Sequence, residues 1–186
     1  MAERVMFVPE CHVDTALAHV LLADRRNFVN HVHGVPNVAK ALQKQAESNR
    51  GPRFVVGIVD NDKKLWDVKA LRPFSLLRQE YTGPTCRYRI YQHSAQASHF
   101  LIILDPVCDT WIFEAAAAAG LHLADFNLPA TLDGFIAVVK DEDAENNPDL
   151  RSLLRAIKRE QPPAYRELAE FVAEIMDTGS KLWREP

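Results

Sequence analysis

A continuous apolar strand that ends in acids is the feature that most constrains the fold of this chain. Residues 54–59 read FVVGIV, and the run stops at Asp60 and Asp62. A strand that is apolar on both faces has to be covered on both faces, which is typical of parallel sheets in α/β proteins. We therefore predict a sheet with helices packed on each side of it.

The residues before this run alternate between short apolar runs and helical stretches. Apolar residues repeat with helical spacing, and Pro and Gly mark the breaks between segments. The segments are a strand over 5–8, a helix that starts at Asp14 or Thr15 and ends near 24–26, a weaker strand over 28–33, and a helix from Pro36 that stops at 49–52. This order predicts a Rossmann-like, mostly parallel sheet.

After residue 63 the pattern changes. Residues 63–84 are polar with scattered apolar positions, whereas 87–92 (RYRIYQ) and 99–104 (HFLIIL) read as two strands of a hairpin. The remainder reads as helices, over 111–119, around 132–139, from Pro148 and from Pro163. We predict a single domain over 1–186, with an α/β core over 4–110 and a helical C-terminal annex over 111–186.

The composition excludes several classes of protein. The formal net charge of −3 gives no global basic field, so a nucleic-acid contact would require a local basic patch. The three cysteines are not spaced as a CxxC pair, which argues against a disulfide framework or a zinc ribbon. The apolar run near the N-terminus is too short for a signal sequence, and no stretch is long enough to span a membrane. We expect a soluble cytoplasmic protein, with its oligomeric state left open.

Acids follow three of the predicted strands. Glu10 follows the first, Asp60 and Asp62 follow the apolar run, and Asp105 follows the HFLIIL strand. In parallel sheets the functional crevice lies at the carboxyl ends of the strands. If the extended conformation continues through Asn61, the two Asp side chains face the same side and repel each other unless a cation intervenes. Mg²⁺ suits such oxygen ligands, but Asp-Asn-Asp-Lys is equally good turn chemistry.

Three motifs carry a resemblance to a known family. They are FVPECHVDTALAHVLL with Glu10 and Asp14, FVVGIVDNDK with Asp60 and Asp62, and LDPVCDTWIF with Asp105, Pro106, Asp109 and Trp111. Over roughly residues 5–115 the chain resembles the topoisomerase-primase (Toprim) domain, in the version found in OLD-type nucleases and in small relatives from bacterial defence systems.

The resemblance implies a Toprim-like fold and metal-dependent phosphodiester hydrolysis of nucleic acid. Glu10 would be the general acid or base, Asp60 and Asp62 would bind Mg²⁺ or Mn²⁺, and Asp105 and Asp109 would complete a second metal position. The sequence leaves open whether the chain also has a partner protein.

Other interpretations stay open. Where the family usually has Gly directly after its Glu, this chain has Cys11, and Pro9 precedes the Glu. This favours, as an alternative, a degenerate Toprim-like protein that binds or regulates without cleaving. A haloacid dehalogenase phosphatase would need the Asp pair on its first strand. A nucleotide-sugar transferase would need a longer segment before the pair.

The remaining candidates are substrate contacts and histidines. Substrate-binding candidates are Asp14, His12, Arg87 in the RYRIYQ strand, and Arg155 and Lys158 on the basic face of a helix. His31 and His33 have the spacing of two metal ligands on one strand face, but the sequence shows no third ligand at a recognisable spacing. Surface or hydrogen-bonded histidines are therefore favoured over a metal site, and Cys11 is expected to be a small structural residue.

Overall fold

The fold is built on one sheet of five strands. The computed structural model describes residues 5–23, 25–47, 54–81 and 87–181. The strands are β1 (Val5–Pro9), β2 (Phe54–Asp60), β3 (Phe74–Tyr81), β4 (Arg87–His93) and β5 (Gln96–Asp105). Their spatial order is β1-β2-β5-β4-β3, in which β1, β2 and β5 are parallel, β4 pairs antiparallel with β5, and β3 pairs antiparallel with β4. The prediction of an α/β sheet is confirmed, and the sheet is mixed.

Helices cover both faces of this sheet, as the continuous apolar strands required. The helices are α1 (His12–Leu21), α2 (Val35–Ala46), α3 (Cys108–Ala118), α4 (Leu132–Val139), α5 (Pro148–Glu160) and α6 (Pro163–Lys181). Ile58 of β2 lies in the core beneath α1, α3, α5 and α6, whereas its neighbour Val59 lies in the core beneath α2. Because successive strand residues point to opposite faces, β2 contributes to both cores.

Gly57 permits the close approach of α2 to the sheet. A Cβ atom at this position would lie 2.9 Å from Leu101 Cδ1 and 2.9 Å from Val38 Cγ1. Those distances are shorter than real Cβ contacts allow, so a larger residue would push the helix away from β2. The glycine in the FVVGIV run is therefore required by packing.

The structure corrects the strand prediction in two places, one predicted strand that is absent and one strand that was not predicted. The segment 28–33 is not a strand: Arg26–Phe28 is a 3₁₀ turn, and beyond it only Val29 forms an isolated bridge, to Phe7. This segment runs beside β1 and makes only a few hydrogen bonds to it, which agrees with its weak apolar pattern. Conversely, β3 (Phe74–Tyr81) falls in the stretch that looked too polar for a strand. It is the edge strand of the sheet and exposes Leu76 and Leu77.

The start of α1 also differs from the prediction. The N-cap is Cys11 instead of Asp14 or Thr15, and Asp14 is the third residue of the helix. Cys11 and Asp14 form a reciprocal capping box, in which each side chain accepts a hydrogen bond from the other residue's backbone N–H. The sequence pattern correctly indicated an acid near the helix start, but Asp14 lies inside the helix and Cys11 is the N-cap residue.

The C-terminal helices pack directly on the sheet. Phe171 of α6 contacts Phe100 of β5, with ring centroids 5.5 Å apart. The buried Trp111 of α3 belongs to the same core as Phe7 of β1. The predicted boundary between residues 110 and 111 falls inside α3, which begins at Cys108. Among the described residues, no helix has the length and apolar character that crossing a membrane requires.

Candidate functional site

The carboxyl ends of the three parallel strands meet at one edge of the sheet. Glu10 follows β1, Asp60 is the last residue of β2, and Asp105 is the last residue of β5. Asp109 lies in the first turn of α3, four residues after Asp105. Glu10, Asp60 and Asp105 thus lie at the ends of strands, as the sequence indicated.

Two of the acids are held in place by backbone amides. Glu10 Oε2 accepts a hydrogen bond from the Asp60 N–H at 3.2 Å. Asp60 Oδ1 accepts one from the Cys108 N–H at 2.7 Å, so the start of α3 fixes this carboxylate. A carboxylate can accept several donors, and both groups keep capacity for a further ligand. The arrangement orients Glu10 and Asp60 at neighbouring strand ends.

Burial disfavours the charged form of these carboxyl groups. Burial raises the pKa of Asp60 to about 7, and the nearby carboxylates of Glu10 and Asp109 add to the shift against the opposing Cys108 amide and Lys140. Burial also raises the pKa of Glu10, and Asp62 adds to that shift. Acids placed together without a counter-charge titrate in this way, and a bound cation would reverse the effect.

Asp14 serves the helix start in this structure. Its side chain is fully buried, and burial together with Asp60 raises its pKa well above the usual value. Burial likewise raises the pKa of the Cys11 thiol. Because Asp14 has no exposed surface, its contact with a substrate stays a prediction that the geometry does not favour.

Asp62 and Asp105 are engaged in local bonds. The strand ends at Asp60, and Asp62 is an exposed turn residue whose Oδ1 accepts the Lys64 N–H at 2.8 Å. The turn interpretation of Asp-Asn-Asp-Lys therefore describes this acid. Asp105 Oδ2 accepts a hydrogen bond from Arg89 and forms an ion pair with it. The Asp62 N–H donates to Asp60 O at 2.9 Å, which is the bond of a tight turn centred on Asn61, so the extended conformation that would place Asp60 and Asp62 on one side does not continue.

A small cavity lies beside Asp60. Its volume is about 190 Å³, and Asp60, Asp109, Lys140 and Asp141 are among the residues that line it. Asp109 is largely buried, and its Oδ1 accepts the Thr110 N–H at 2.7 Å. Lys140 was not predicted from the sequence, because it follows α4 and reaches the site only through the packing of helices.

Three histidines cluster next to this cavity. His12 opens α1 and lines the cavity, and His31 and His33 come from the segment beside β1. Each offers a ligand atom, and these atoms all lie within 4.8 Å of one another; no other set of three or more His, Cys, Asp or Glu residues in the described part of the chain is this close. Among the described residues, the strand-end carboxylates thus form no such group of three.

The basic candidates are not gathered at this edge. Lys158 Nζ donates to the backbone oxygen of Val20 at 3.0 Å, and Val20 lies about 12 Å from His12 along α1. Arg155 is exposed on the same helix, about one turn before Lys158. Arg87 is in β4, but its side chain lies outside the described part of the structure. Their role as substrate contacts stays a prediction.

A larger cavity of about 460 Å³ lies at the opposite end of the sheet. Phe74, His93 and His99 are among its lining residues. Phe74 begins β3 and His93 ends β4, and His99 is near the start of β5. None of the predicted site residues lines it.

Fold and site together define an α/β protein with buried carboxyl groups at the carboxyl edge of its parallel strands. Comparisons with models of known protein families, with curated proteins and with solved structures found no match. The resemblance to the Toprim domain therefore depends on the three sequence motifs.

Proposed function

We propose that the carboxyl edge of the sheet binds a divalent cation of the Mg²⁺ type and performs metal-dependent phosphodiester chemistry on nucleic acid. The observation that carries the proposal is the placement of Glu10 and Asp60. These two partly buried acids sit at neighbouring strand ends, and burial raises the pKa of both, with Asp62 adding to the shift of Glu10 and Glu10 adding to the shift of Asp60. A cation between them would remove both costs.

The donors at this edge fit such an ion. Mg²⁺ takes oxygen ligands, uses only one or two carboxylates, and completes its shell with water and phosphate oxygens. Glu10 and Asp60 supply the two carboxylates, and Asp109 is close enough to influence Asp60. We leave Asp105 out of the proposed ligand set because Arg89 neutralises it in an ion pair, and we leave Asp62 out because it is an exposed residue beyond the end of β2.

The residues around the ion have separate roles. A bound Mg²⁺ or Mn²⁺ polarises a phosphoryl group and lowers the pKa of a bound water. Burial raises the pKa of Glu10, and the resemblance assigns this residue the role of general acid or base. Lys140 lines the cavity and places a positive charge where a phosphate of the substrate would lie.

A second candidate function is binding without cleavage. Two-metal nucleases need two ions about 3.5 to 4 Å apart, each held by carboxylates. Here Asp62 is in a turn and Asp105 is paired with Arg89, so two of the predicted ligands are engaged elsewhere. This observation favours a Toprim-like protein that binds metal and nucleic acid, alone or with a partner protein, as a regulator.

Calorimetry and a cleavage assay test both functions. The metal-free protein is titrated with Mg²⁺ and Mn²⁺ alongside Asp60→Asn, Glu10→Gln and the control Asp125→Asn, an exposed acid in the 3₁₀ turn Leu123–Phe126. We expect the affinity to fall at least tenfold in Asp60→Asn and to stay within twofold in the control.

Single- and double-stranded DNA and RNA are then incubated with each variant. Cleavage by the wild type that is lost in Glu10→Gln supports the nuclease. Cation binding without cleavage supports the second function. A wild-type protein that binds neither ion would overturn both.

A further inference from the structure

The histidine cluster is assembled from two separate parts of the chain. The segment after the 3₁₀ turn runs along β1, with the Asn30 N–H donating to Phe7 O at 2.8 Å and the Val32 N–H donating to Pro9 O at 3.1 Å. Residues two apart in an extended segment share a face, which places His31 and His33 together. His12 reaches them from the first turn of α1.

The three imidazoles are in mutual contact. The ring centroids are 4.3 Å apart for His12 and His31, 4.7 Å for His31 and His33, and 5.6 Å for His12 and His33. One ligand atom of each side chain lies within 4.8 Å of the others, so a single ion could contact all three rings.

A carboxylate faces two of these rings. Glu145 Oε2 lies 3.5 Å from His12 Nδ1 and 3.5 Å from His31 Nδ1. In the described structure the buried His31 Nε2 has no hydrogen-bond partner, whereas His12 Nδ1 and His31 Nδ1 face Glu145 Oε2. A buried ring nitrogen without a partner is costly, which indicates a missing ligand on that side of His31.

We propose that His12, His31 and His33 bind a transition-metal ion of the Zn²⁺ type, with Glu145 as the neighbouring carboxylate. Imidazole nitrogen suits Zn²⁺, Co²⁺, Ni²⁺ or Cu²⁺, whereas Mg²⁺ prefers oxygen. Three histidines leave a fourth position of a tetrahedral ion for water or a substrate atom. Glu145 balances part of the charge and orients two of the rings, as carboxylates beside metal-bound histidines commonly do.

This site is distinct from the carboxylate site of the proposed function. The two share no ligand, although His12, Asp60 and Asp109 all line the cavity of about 190 Å³. The two sites are therefore neighbours. They can fail separately: loss of Mg²⁺ binding at Asp60 leaves the histidine site unaffected, and the reverse also holds.

Cobalt and zinc titrations of the full-length, chelator-treated protein test the proposal. We expect one equivalent of Co²⁺ to give the visible absorption of a four-coordinate ion, and Zn²⁺ to displace it and raise the melting temperature. His31→Ala and His33→Ala should each weaken binding at least a hundredfold. Glu145→Gln should weaken it tenfold to a hundredfold. Asp60→Asn should bind Zn²⁺ as the wild type does.

His122→Ala is the matched control, because His122 is an exposed histidine beyond the C-terminal end of α3. It should bind Co²⁺ and Zn²⁺ with wild-type affinity. His33 is exposed, so His33→Ala tests the site even if His31→Ala does not fold. No stoichiometric binding by the folded wild type, or binding that survives both His31→Ala and His33→Ala, would overturn the proposal.

Discussion

Glu10 and Asp60 are joined by a hydrogen bond from the Asp60 backbone N–H to Glu10 Oε2, at 3.2 Å. The bond links the residue after β1 to the last residue of β2. Because β1 and β2 are adjacent parallel strands, it places two acids at the same partly buried edge. The electrostatics of this edge follow from that link, and so does the first prediction.

Asp60→Asn should stabilise the metal-free protein at high pH. Burial raises the pKa of Asp60 from 3.8 to about 7, so the folded state holds this proton while the unfolded state has lost it. Wild-type stability therefore falls as pH rises between these two values, by about 2 to 4 kcal/mol in total. Asn keeps an oxygen for the Cys108 N–H and removes the charge.

Thermal unfolding in EDTA from pH 5 to pH 8.5 measures this effect. The gain in melting temperature of Asp60→Asn over the wild type should be large at pH 8 and should shrink toward pH 5. Asp125→Asn should show no such pH-dependent gain. A gain of equal size at both ends of the range would contradict the prediction.

Gly57→Ala should destabilise the fold. The added Cβ would lie 2.9 Å from both Leu101 Cδ1 and Val38 Cγ1, and such overpacking typically costs about 1 to 3 kcal/mol. Urea unfolding gives the free energy. The double variant Gly57→Ala/Val38→Ala removes one of the two contacts, so its loss should be smaller than the sum of the single losses. Strict additivity would show that the close approach of α2 is not the cause.

Arg89→Gln should destabilise the protein by about 1 to 3 kcal/mol, because it leaves the mostly buried carboxylate of Asp105 without its partner. Asp105→Asn should leave the affinity for Mg²⁺ within twofold of wild type, since Arg89 holds this acid. Urea unfolding and calorimetry measure the two effects. Arg78→Gln is the control, because the Arg78–Glu174 pair is more exposed and should be worth under about 1 kcal/mol. A tenfold loss of Mg²⁺ affinity in Asp105→Asn would return that residue to the ligand set.

Cys11→Ser and Cys11→Ala should differ in stability. The Cys11 side chain caps α1 by accepting the Asp14 N–H at 3.5 Å, and Ser is a strong N-cap residue whereas Ala is a poor one. We expect Cys11→Ser to be as stable as the wild type or more so, and Cys11→Ala to lose about 1 kcal/mol. Chemical denaturation of the three proteins in EDTA checks this order. Equal stability of the two variants would mean that the cap contributes nothing.

Local patterns were enough to predict much of the architecture. The run FVVGIV is apolar at every position, and this alone required helices on both faces of β2. Pro148 and Pro163 marked the starts of α5 and α6, because proline fits the first turn of a helix and few other helical positions. The edge strand β3 was missed, since an edge strand with one wet face lacks a continuous apolar run.

The candidate site was predictable only in part. Acids after strands identify the functional edge of a parallel sheet from chain order, which is how Glu10 and Asp60 were found. The sequence could not show that Arg89 pairs with Asp105 or that Lys64 holds Asp62 in a turn. Whether an acid remains available to bind a metal ion depends on which residue pairs with it in the folded structure.

Apolar periodicity and chain order are local properties, so they were enough to predict the α/β class and the edge at which the acids lie. The cluster of His12, His31, His33 and Glu145 forms only when α1, the segment beside β1 and the 3₁₀ turn Ala144–Asn146 pack together. Side chains more than a hundred residues apart in sequence meet because helices pack over the end of a sheet. The positions of these residues along the chain do not predict that Glu145 contacts His12 and His31.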